Sequence, residues 1–173
     1  TDCSGRFAIV LNGIVENYLA LRDELRREGH TFTSETDAEV VAHLIERAYE
    51  GSLQQAVAAA YRQMEGHFTY CAVAADEPDV IVAVRKETPL VVGLGQTENF
   101  LASAVPAFLA ETRTVLFPED GDIVVARREA VSLFTLDGVP VSRELQQVDW
   151  DEDAAEKAGY ETFMLKEIHE QPI

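Results

Sequence analysis

Residues 66–95, GHFTYCAVAADEPDVIVAVRKETPLVVGLG, decide the fold. Three short runs rich in Val, Thr and aromatic residues lie in this stretch, at 67–75, 80–85 and 90–94. Runs of this length and composition are typical of buried strands, and the sequence Asp-Glu-Pro-Asp between the first two has the composition of a turn. Four similar runs follow at 100–103, 114–117, 123–127 and 131–136. The pattern predicts a largely antiparallel sheet.

The last predicted strands are joined by a turn signal. Asp137-Gly138 stands between Leu133–Leu136 and Val139–Val141. Asp-Gly between two apolar runs is a strong signal for a two-residue β-turn. It predicts a hairpin with a two-residue loop.

Three segments before the sheet have helical periodicity. Their signals are the apolar face Tyr18, Leu21 and Leu25, and the capping-box sequences Thr36–Glu39 and Ser52–Gln55. In each case apolar residues recur at helical spacing and a glycine follows, so the pattern predicts helices that end at Gly29, Gly51 and Gly66. The predicted class is α+β, with helices packed on a largely antiparallel sheet.

Composition limits the possible partners. The 173 residues include 14 Lys and Arg against 31 Asp and Glu, which gives a formal net charge of −17. A chain this acidic repels phosphate backbones and anionic lipid surfaces. We therefore expect no nucleic acid and no membrane partner. No apolar stretch approaches the length of a membrane span, and residues 1–6 lack signal-peptide character, so we expect a cytoplasmic protein.

Cysteine and histidine offer little local evidence of chemistry. Only Cys3 and Cys71 occur, too few for a disulfide framework, and neither has metal-ligand spacing. A catalytic Cys3 is disfavoured because no base stands beside it in the sequence, and Cys71 lies in an apolar strand where it should be packed and inert. The histidines are scattered and none pairs with a second His or Cys at ligand spacing, so we expect no metal site; they are His30, His43, His67 and His169.

Two glycine-based motifs are also missing or incomplete. Gly93-Leu94-Gly95 lacks the third glycine of a dinucleotide-binding loop, which disfavours phosphate binding there. No Gly-x-Ser-x-Gly motif is present, which disfavours a serine hydrolase of that pattern.

Asn12-Gly13 stands behind the apolar run 7–10, after Leu11. The Asn side chain offers an amide donor, and glycine allows a backbone N–H to approach a ligand closely, so the pair could form an oxyanion hole. Asn-Gly is also the commonest turn dipeptide, and local chemistry alone favours an ordinary turn.

Asp37 begins the helix that Thr36 caps. A carboxylate is favoured there by the helix dipole and could hold an ammonium group. It could equally be a solvated N-terminal carboxylate, and local chemistry does not decide between the two.

Five segments, taken together with their order and spacing, carry a family resemblance: LNGIVENYLALRDEL (11–25), SETDAEVVAHLI (34–45), residues 66–95, ENFLASAVPAFL (98–109) and YETFMLKEIHEQP (160–172). This series resembles the class II glutaminase domain of glucosamine-6-phosphate synthases, which are isomerising glutamine–fructose-6-phosphate aminotransferases. SETD at 34–37 and KEIHEQP at 166–172 are the most specific parts. The resemblance implies a glutaminase domain over 1–148, and an acidic tail and helix over 149–173 that lead toward a sugar isomerase domain.

The resemblance implies a fold, partners and roles. The fold is the αββα sandwich of N-terminal nucleophile hydrolases, incomplete at its N-terminus. The substrate of this domain is L-glutamine, fructose 6-phosphate binds the separate isomerase domain, no cofactor is needed, and the full-length enzyme is a homodimer. Asn12 and Gly13 would form the oxyanion hole, and Asp37 would bind the α-amino group of glutamine.

The chain departs from the family pattern in two places. The nucleophilic N-terminal cysteine of the family and the arginine that binds the substrate carboxylate would precede Thr1, and Cys3 does not match the nucleophile. Leu11 stands where histidine is usual, which puts the packing beside the oxyanion hole in question. We therefore expect these 173 residues to be inactive alone and to self-associate through an incomplete sheet. The alternatives are a non-catalytic glutamine-binding or regulatory module derived from such a domain, and an unrelated α+β domain.

Overall fold

The computed structural model describes residues 1–149, 160 and 162–170. The strands in chain order are β1 Phe7–Val15, β2 Gly66–Ala74, β3 Glu77–Lys86, β4 Val91–Leu94, β5 Asn99–Ala102, β6 Thr114–Leu116, β7 Ile123–Ala126, β8 Val131–Phe134, β9 Pro140–Val141 and β10 Leu145–Gln147. The α-helices are α1 Tyr18–Arg27, α2 Asp37–Ala48, α3 Leu53–Tyr61 and α4 Phe163–Glu170. A 3-10 turn covers Val105–Ala107.

The strands form two antiparallel sheets. The larger has the order β1-β2-β3-β7-β8-β9 and the smaller has the order β10-β6-β4-β5. Helices α1 to α3 cover one face of the larger sheet, and the main apolar core lies between them. A second apolar cluster joins the other face of the larger sheet to the smaller sheet. The predicted α+β class and largely antiparallel pairing are confirmed.

The predicted helices form with the predicted signals. Thr36 Oγ1 accepts the Glu39 backbone N–H at 3.4 Å, and Ser52 Oγ accepts that of Gln55 at 3.4 Å, so both helices are capped by side chains. Helix α1 buries Leu21 and Leu25 and is followed by Gly29 in a left-handed conformation. Helices α2 and α3 end three and five residues before the glycines that were predicted to stop them.

The hairpin at Asp137-Gly138 is present, but its loop is one residue longer than predicted. The Thr135 N–H donates to the Val139 carbonyl at 2.8 Å, and the Gly138 N–H donates to the Thr135 carbonyl at 2.9 Å. The loop therefore comprises Leu136, Asp137 and Gly138, with Gly138 at a φ of +80°. A turn followed by a left-handed glycine is the usual three-residue hairpin loop, in which Leu136 leaves the strand.

The C-terminal prediction is tested only in part. Helix α4 forms where helical spacing predicted it, and Met164 and Ile168 are exposed on it. Most of the acidic run 149–153 lies outside the described residues. Within the described part of the chain, no helix has the length and apolar character needed to span a bilayer.

Candidate functional site

Asn12 and Gly13 lie inside a strand and not in a turn. Strand β1 continues through them to Val15, and they pair with Thr69 and Phe68 of β2. The ordinary-turn interpretation is therefore wrong. The sequence could not exclude it, because an Asn-Gly pair signals a turn unless a partner strand keeps the chain extended.

Gly13 has a backbone requirement of its own. Its φ is +105°, and a Cβ at this position would collide with the carbonyl oxygen of His67 and lie 2.9 Å from the Cα of Phe68. Only glycine fits both the left-handed conformation and the close approach of β2. The strand pairing thus explains this glycine whether or not a ligand binds to its backbone.

The Asn12 side chain is free to meet a ligand. Within the described residues its amide makes no hydrogen bond, and the residue is exposed. It borders a cleft of about 190 Å³ at the edge of the two sheets, whose walls include Thr69, Pro89 and Leu101. Val10 and Ile14, which share this face of β1 by strand alternation, are 70% and 63% exposed.

Asp37 is joined to the same strand. Its Oδ2 accepts the Val15 N–H at 2.9 Å, and its Oδ1 accepts the Ala38 N–H at 2.9 Å. The first bond fastens the start of α2 to the end of β1, two residues after Gly13. The structure therefore brings together the two features that sequence analysis singled out separately.

The SETD segment is held by a buried carboxylate. Glu39, 6% exposed, accepts hydrogen bonds from the N–H and hydroxyl groups of both Thr33 and Ser34, at 2.5 to 2.9 Å. Burial opposes ionisation of Glu39, but these bonds outweigh it and lower its pKa to about 2. The carboxylate thus fixes the loop that leads into Asp37, whereas the Thr36 N–H, which a capping box would direct to Glu39, donates to Ser34 Oγ at 3.3 Å.

Asn17 was missed by sequence reasoning. Its side-chain amide donates to the Gln63 carbonyl at 2.8 Å, and its Oδ1 accepts the Glu65 N–H at 3.0 Å. These bonds tie the end of β1 to the segment just before β2. The only signal in the sequence is an Asn after a strand, which is too common to be assigned such a role.

Leu11 lies on the opposite side of β1 from Asn12. It packs, partly buried, against the core between the large sheet and the helices. Leu11 also borders the cleft that Asn12 lines. An apolar residue suits this position, because the surrounding cluster is apolar.

Cys3, His30, His43 and Glu46 form a second cluster. Their ligand atoms all lie within 4.8 Å of one another. Sequence spacing did not indicate this cluster, because no histidine has ligand spacing to a second His or Cys along the chain and no base stands beside Cys3 in the sequence. The one local signal was His43 and Glu46, one helical turn apart. Cys71 agrees with its prediction, because burial raises the pKa of its thiol to about 11 and keeps it protonated.

Comparison with known families and sequences gives a consistent result. The model of the family described as "Glutamine amidotransferase domain" matches residues 1–110. The chain is 52% identical over 172 residues to the isomerising glutamine–fructose-6-phosphate aminotransferase of Thermus thermophilus, and 49% identical over 168 residues to that of Clostridium tetani. These alignments cover 99% and 97% of this chain. The chain spans 28% of the length of each relative.

Solved structures agree at the level of the fold. The glutamine phosphoribosylpyrophosphate amidotransferase of B. subtilis, complexed with ADP and GMP, superposes with a TM-score of 0.67 at 20% identity. The match covers 79% of this chain and 30% of that one. The predicted fold, that of the N-terminal nucleophile amidotransferases, is confirmed.

An apolar cluster lies against the outer face of the small sheet. Within the described residues, the segment that covers this face includes the 3-10 turn Val105–Ala107.

Proposed function

Because this chain belongs to the glutamine amidotransferase domain family, we propose that it is the larger, C-terminal part of the glutamine-hydrolysing domain of an isomerising glutamine–fructose-6-phosphate aminotransferase. The observation that carries the proposal is the near-50% identity to such enzymes along almost the whole chain. In this proposal residues 1–148 belong to the glutaminase domain. Residues 149–173 lead toward a separate domain that binds fructose 6-phosphate, and the complete enzyme is a homodimer.

Asn12 and Gly13 stabilise the oxyanion in this proposal. A thiolate attacks the side-chain amide carbon of glutamine, and negative charge develops on the amide oxygen. The free Asn12 amide at the cleft supports this role, because a donor without a protein partner can be directed at that oxygen at no cost in internal bonds. The positive φ of Gly13 changes the direction of the peptide groups beside it relative to a regular strand.

Asp37 binds the α-ammonium group of glutamine in this proposal. Its two oxygens each accept one backbone N–H, which fixes the carboxylate and leaves further lone pairs available. The Glu39 network holds the preceding loop in place, so the position of Asp37 is preorganised. Its link to Val15 sets its distance from the strand that carries Asn12.

The nucleophile comes from outside these residues. Val10 and Ile14 flank Asn12 and expose apolar surface on the outermost strand of the large sheet, which supports packing of a further segment here. A polypeptide limited to these 173 residues should therefore release no glutamate from glutamine. Sustained turnover by this polypeptide that persists after Cys3→Ala and Cys71→Ala would contradict the missing thiol nucleophile.

Steady-state glutaminase kinetics of the full-length protein test the assigned roles. Asn12→Ala should lower kcat by about 100- to 1000-fold, because it removes a donor that acts mainly on the transition state. Asp37→Asn should chiefly raise KM for glutamine, because it weakens binding of the ammonium group in both ground and transition state.

Matched controls show whether these effects are specific. Gln146→Ala removes an exposed strand amide from the small sheet, and Glu35→Gln removes an exposed charge within the SETD loop; both should keep the parent values. An Asn12→Ala variant with unchanged kcat would refute the oxyanion role. An Asp37→Asn variant with unchanged KM would refute the ammonium role.

A further inference from the structure

The second cluster is assembled from three separate parts of the chain. Cys3 lies in the segment before β1, His30 follows the C-terminal end of α1, and His43 and Glu46 project from α2. His43 is fully buried, His30 and Glu46 are partly exposed, and Cys3 is exposed. None of these residues takes part in the proposed glutaminase site.

The segment that carries Cys3 is itself held in place. Asp2 is buried, and its carboxylate accepts the Phe7 N–H at 2.7 Å and the Ser4 N–H at 2.9 Å, together with the Ser4 hydroxyl. Burial opposes ionisation of Asp2, but these bonds outweigh it and lower its pKa. These bonds hold the backbone on both sides of Cys3 in a fixed turn.

Five of the six distances between the donor atoms resemble the edges of a metal-binding tetrahedron, and all six are within 4.8 Å. The Nδ1 atoms of His30 and His43 are 3.2 Å apart, and they lie 3.0 Å and 3.2 Å from Glu46 Oε2. Cys3 Sγ lies 3.4 Å from that oxygen and 3.8 Å from His30 Nδ1. Zinc bond lengths of about 2.0 Å to nitrogen or oxygen and about 2.3 Å to sulfur imply tetrahedral edges of about 3.3 Å, or about 3.5 Å where sulfur is one corner.

The same geometry argues against a catalytic triad. In a triad, the histidine contacts the nucleophile with one ring nitrogen and the acid with the other. Here His30 presents Nδ1 to both Cys3 and Glu46, and Glu46 also contacts the thiol directly. Four donors that converge on one point, each with the same atom toward the others, suit one central cation.

The surroundings of His43 are those of a metal ligand. When Nδ1 binds a cation, the ring proton lies on Nε2, which makes no hydrogen bond in the described residues but lies 3.8 Å from the Glu39 carboxylate. A carboxylate behind a ligating histidine orients the ring and raises its basicity. Phe32 packs on the same imidazole, with 4.3 Å between ring centroids.

We propose that Cys3, His30, His43 and Glu46 bind one zinc ion and thereby fasten the segment before β1 to α1 and α2. Cysteine, two imidazoles and a carboxylate form a donor set that zinc accepts, and four protein ligands leave no open position, as in structural sites. On binding, the Cys3 thiol loses its proton to solvent and no electron is transferred. Zn²⁺ with one thiolate, one carboxylate and two neutral imidazoles has no net charge, which suits a half-buried position.

Metal titration of the tag-free, full-length protein tests the site. The protein is stripped with a chelator, exchanged into metal-free buffer and titrated with Zn²⁺ against a chromophoric competitor. One tightly bound equivalent that depends on this cluster is expected. Co²⁺ in place of Zn²⁺ should give the strong visible bands of tetrahedral coordination and a thiolate-to-cobalt charge-transfer band. Both readouts are independent of glutaminase activity.

The chain provides a matched control for each ligand type. Cys3→Ser should abolish the charge-transfer band and weaken zinc binding by at least about 100-fold, the upper end of what loss of a second-shell partner costs. Cys71→Ser should leave both unchanged. His30→Gln should weaken binding, whereas His67→Gln, an exposed histidine paired with Glu87, should not. Far-ultraviolet circular dichroism checks that each variant is folded. Absence of the tight equivalent, or folded Cys3→Ser protein that binds zinc as Cys71→Ser does, would overturn the proposal.

Discussion

Position 13 shows how one residue can satisfy two separate constraints. The left-handed backbone alone would favour glycine, and the approach of the His67 carbonyl alone would exclude a Cβ. Gly29 has nearly the same φ, +102° against +105°, but has open space where a Cβ would stand. Comparing Gly13 with Gly29 therefore separates two free-energy costs of adding a side chain: the cost of the left-handed conformation and the cost of the steric collision.

We expect Gly13→Ala to destabilise the protein much more than Gly29→Ala. The left-handed conformation should cost alanine about 1–2 kcal/mol at both positions. At position 13 the collision with β2 should add about 1–3 kcal/mol, because either strand must shift. Urea unfolding of both variants measures the difference. Equal losses would mean that β1 and β2 move apart freely at this point.

The Asn12-Gly13 pair also shows where sequence reasoning stops. Sequence analysis proposed the pair as two candidate donors, but the local pattern favoured a turn. The strand continues because β2, about 50 residues later, pairs with it, and no local signal carries that information. The convergence of Cys3, His30 and His43 was not predicted for the same reason. Their spacing in the sequence matches no local ligand motif.

At the scale of elements, helix α2 contributes residues to both candidate sites. Its first residue binds β1, its second and third turns each carry one donor of the second cluster, and Glu39 holds the loop before it. Local signals predicted this helix well, because its N-cap and the helical spacing of its apolar residues both lie within one short segment of the sequence. They did not predict the partners, which depend on packing against β1 and the segment before it.

We expect the Glu39 carboxylate to make stability depend on acid pH. Its folded pKa of about 2 lies below the unfolded value of 4.5, so its contribution is fully present above about pH 4.5 and is lost as pH falls toward about 2. The contribution should be about 3 kcal/mol. Relative to the parent, Glu39→Gln should be destabilised at neutral pH, and that difference should shrink in acid.

Urea midpoints measured across this pH range test the prediction. Glu35→Gln is the control, because Glu35 lies in the same loop but is exposed. It should follow the parent at every pH. A Glu39→Gln deficit that is the same at about pH 3 as at about pH 6 would show that the carboxylate contributes through packing and not through its charge.

At the scale of the whole molecule, the net charge of −17 acts against the compact state. Like charges repel more strongly when the chain folds, and salt screens that repulsion. We expect the unfolding temperature to rise when NaCl increases from about 0.01 M to about 0.15 M, as the screening length falls from about 30 Å to about 8 Å. Sucrose at matched osmolality is the control. An unfolding temperature that falls with NaCl would show that the ion pairs outweigh the net charge.

The pairing of β1 with β2 has a consequence for the order of folding. The two strands are neighbours in the sheet, yet α1, α2 and α3 lie between them in sequence. A loop of about 50 residues must close before the first hydrogen bond between them can form, and contacts this distant in sequence slow folding. During synthesis, β1 and its Asn-Gly pair emerge from the ribosome before β2 and cannot pair with it until β2 has followed. The helices, whose contacts are local, can form in that interval and provide the apolar face on which the two strands then meet.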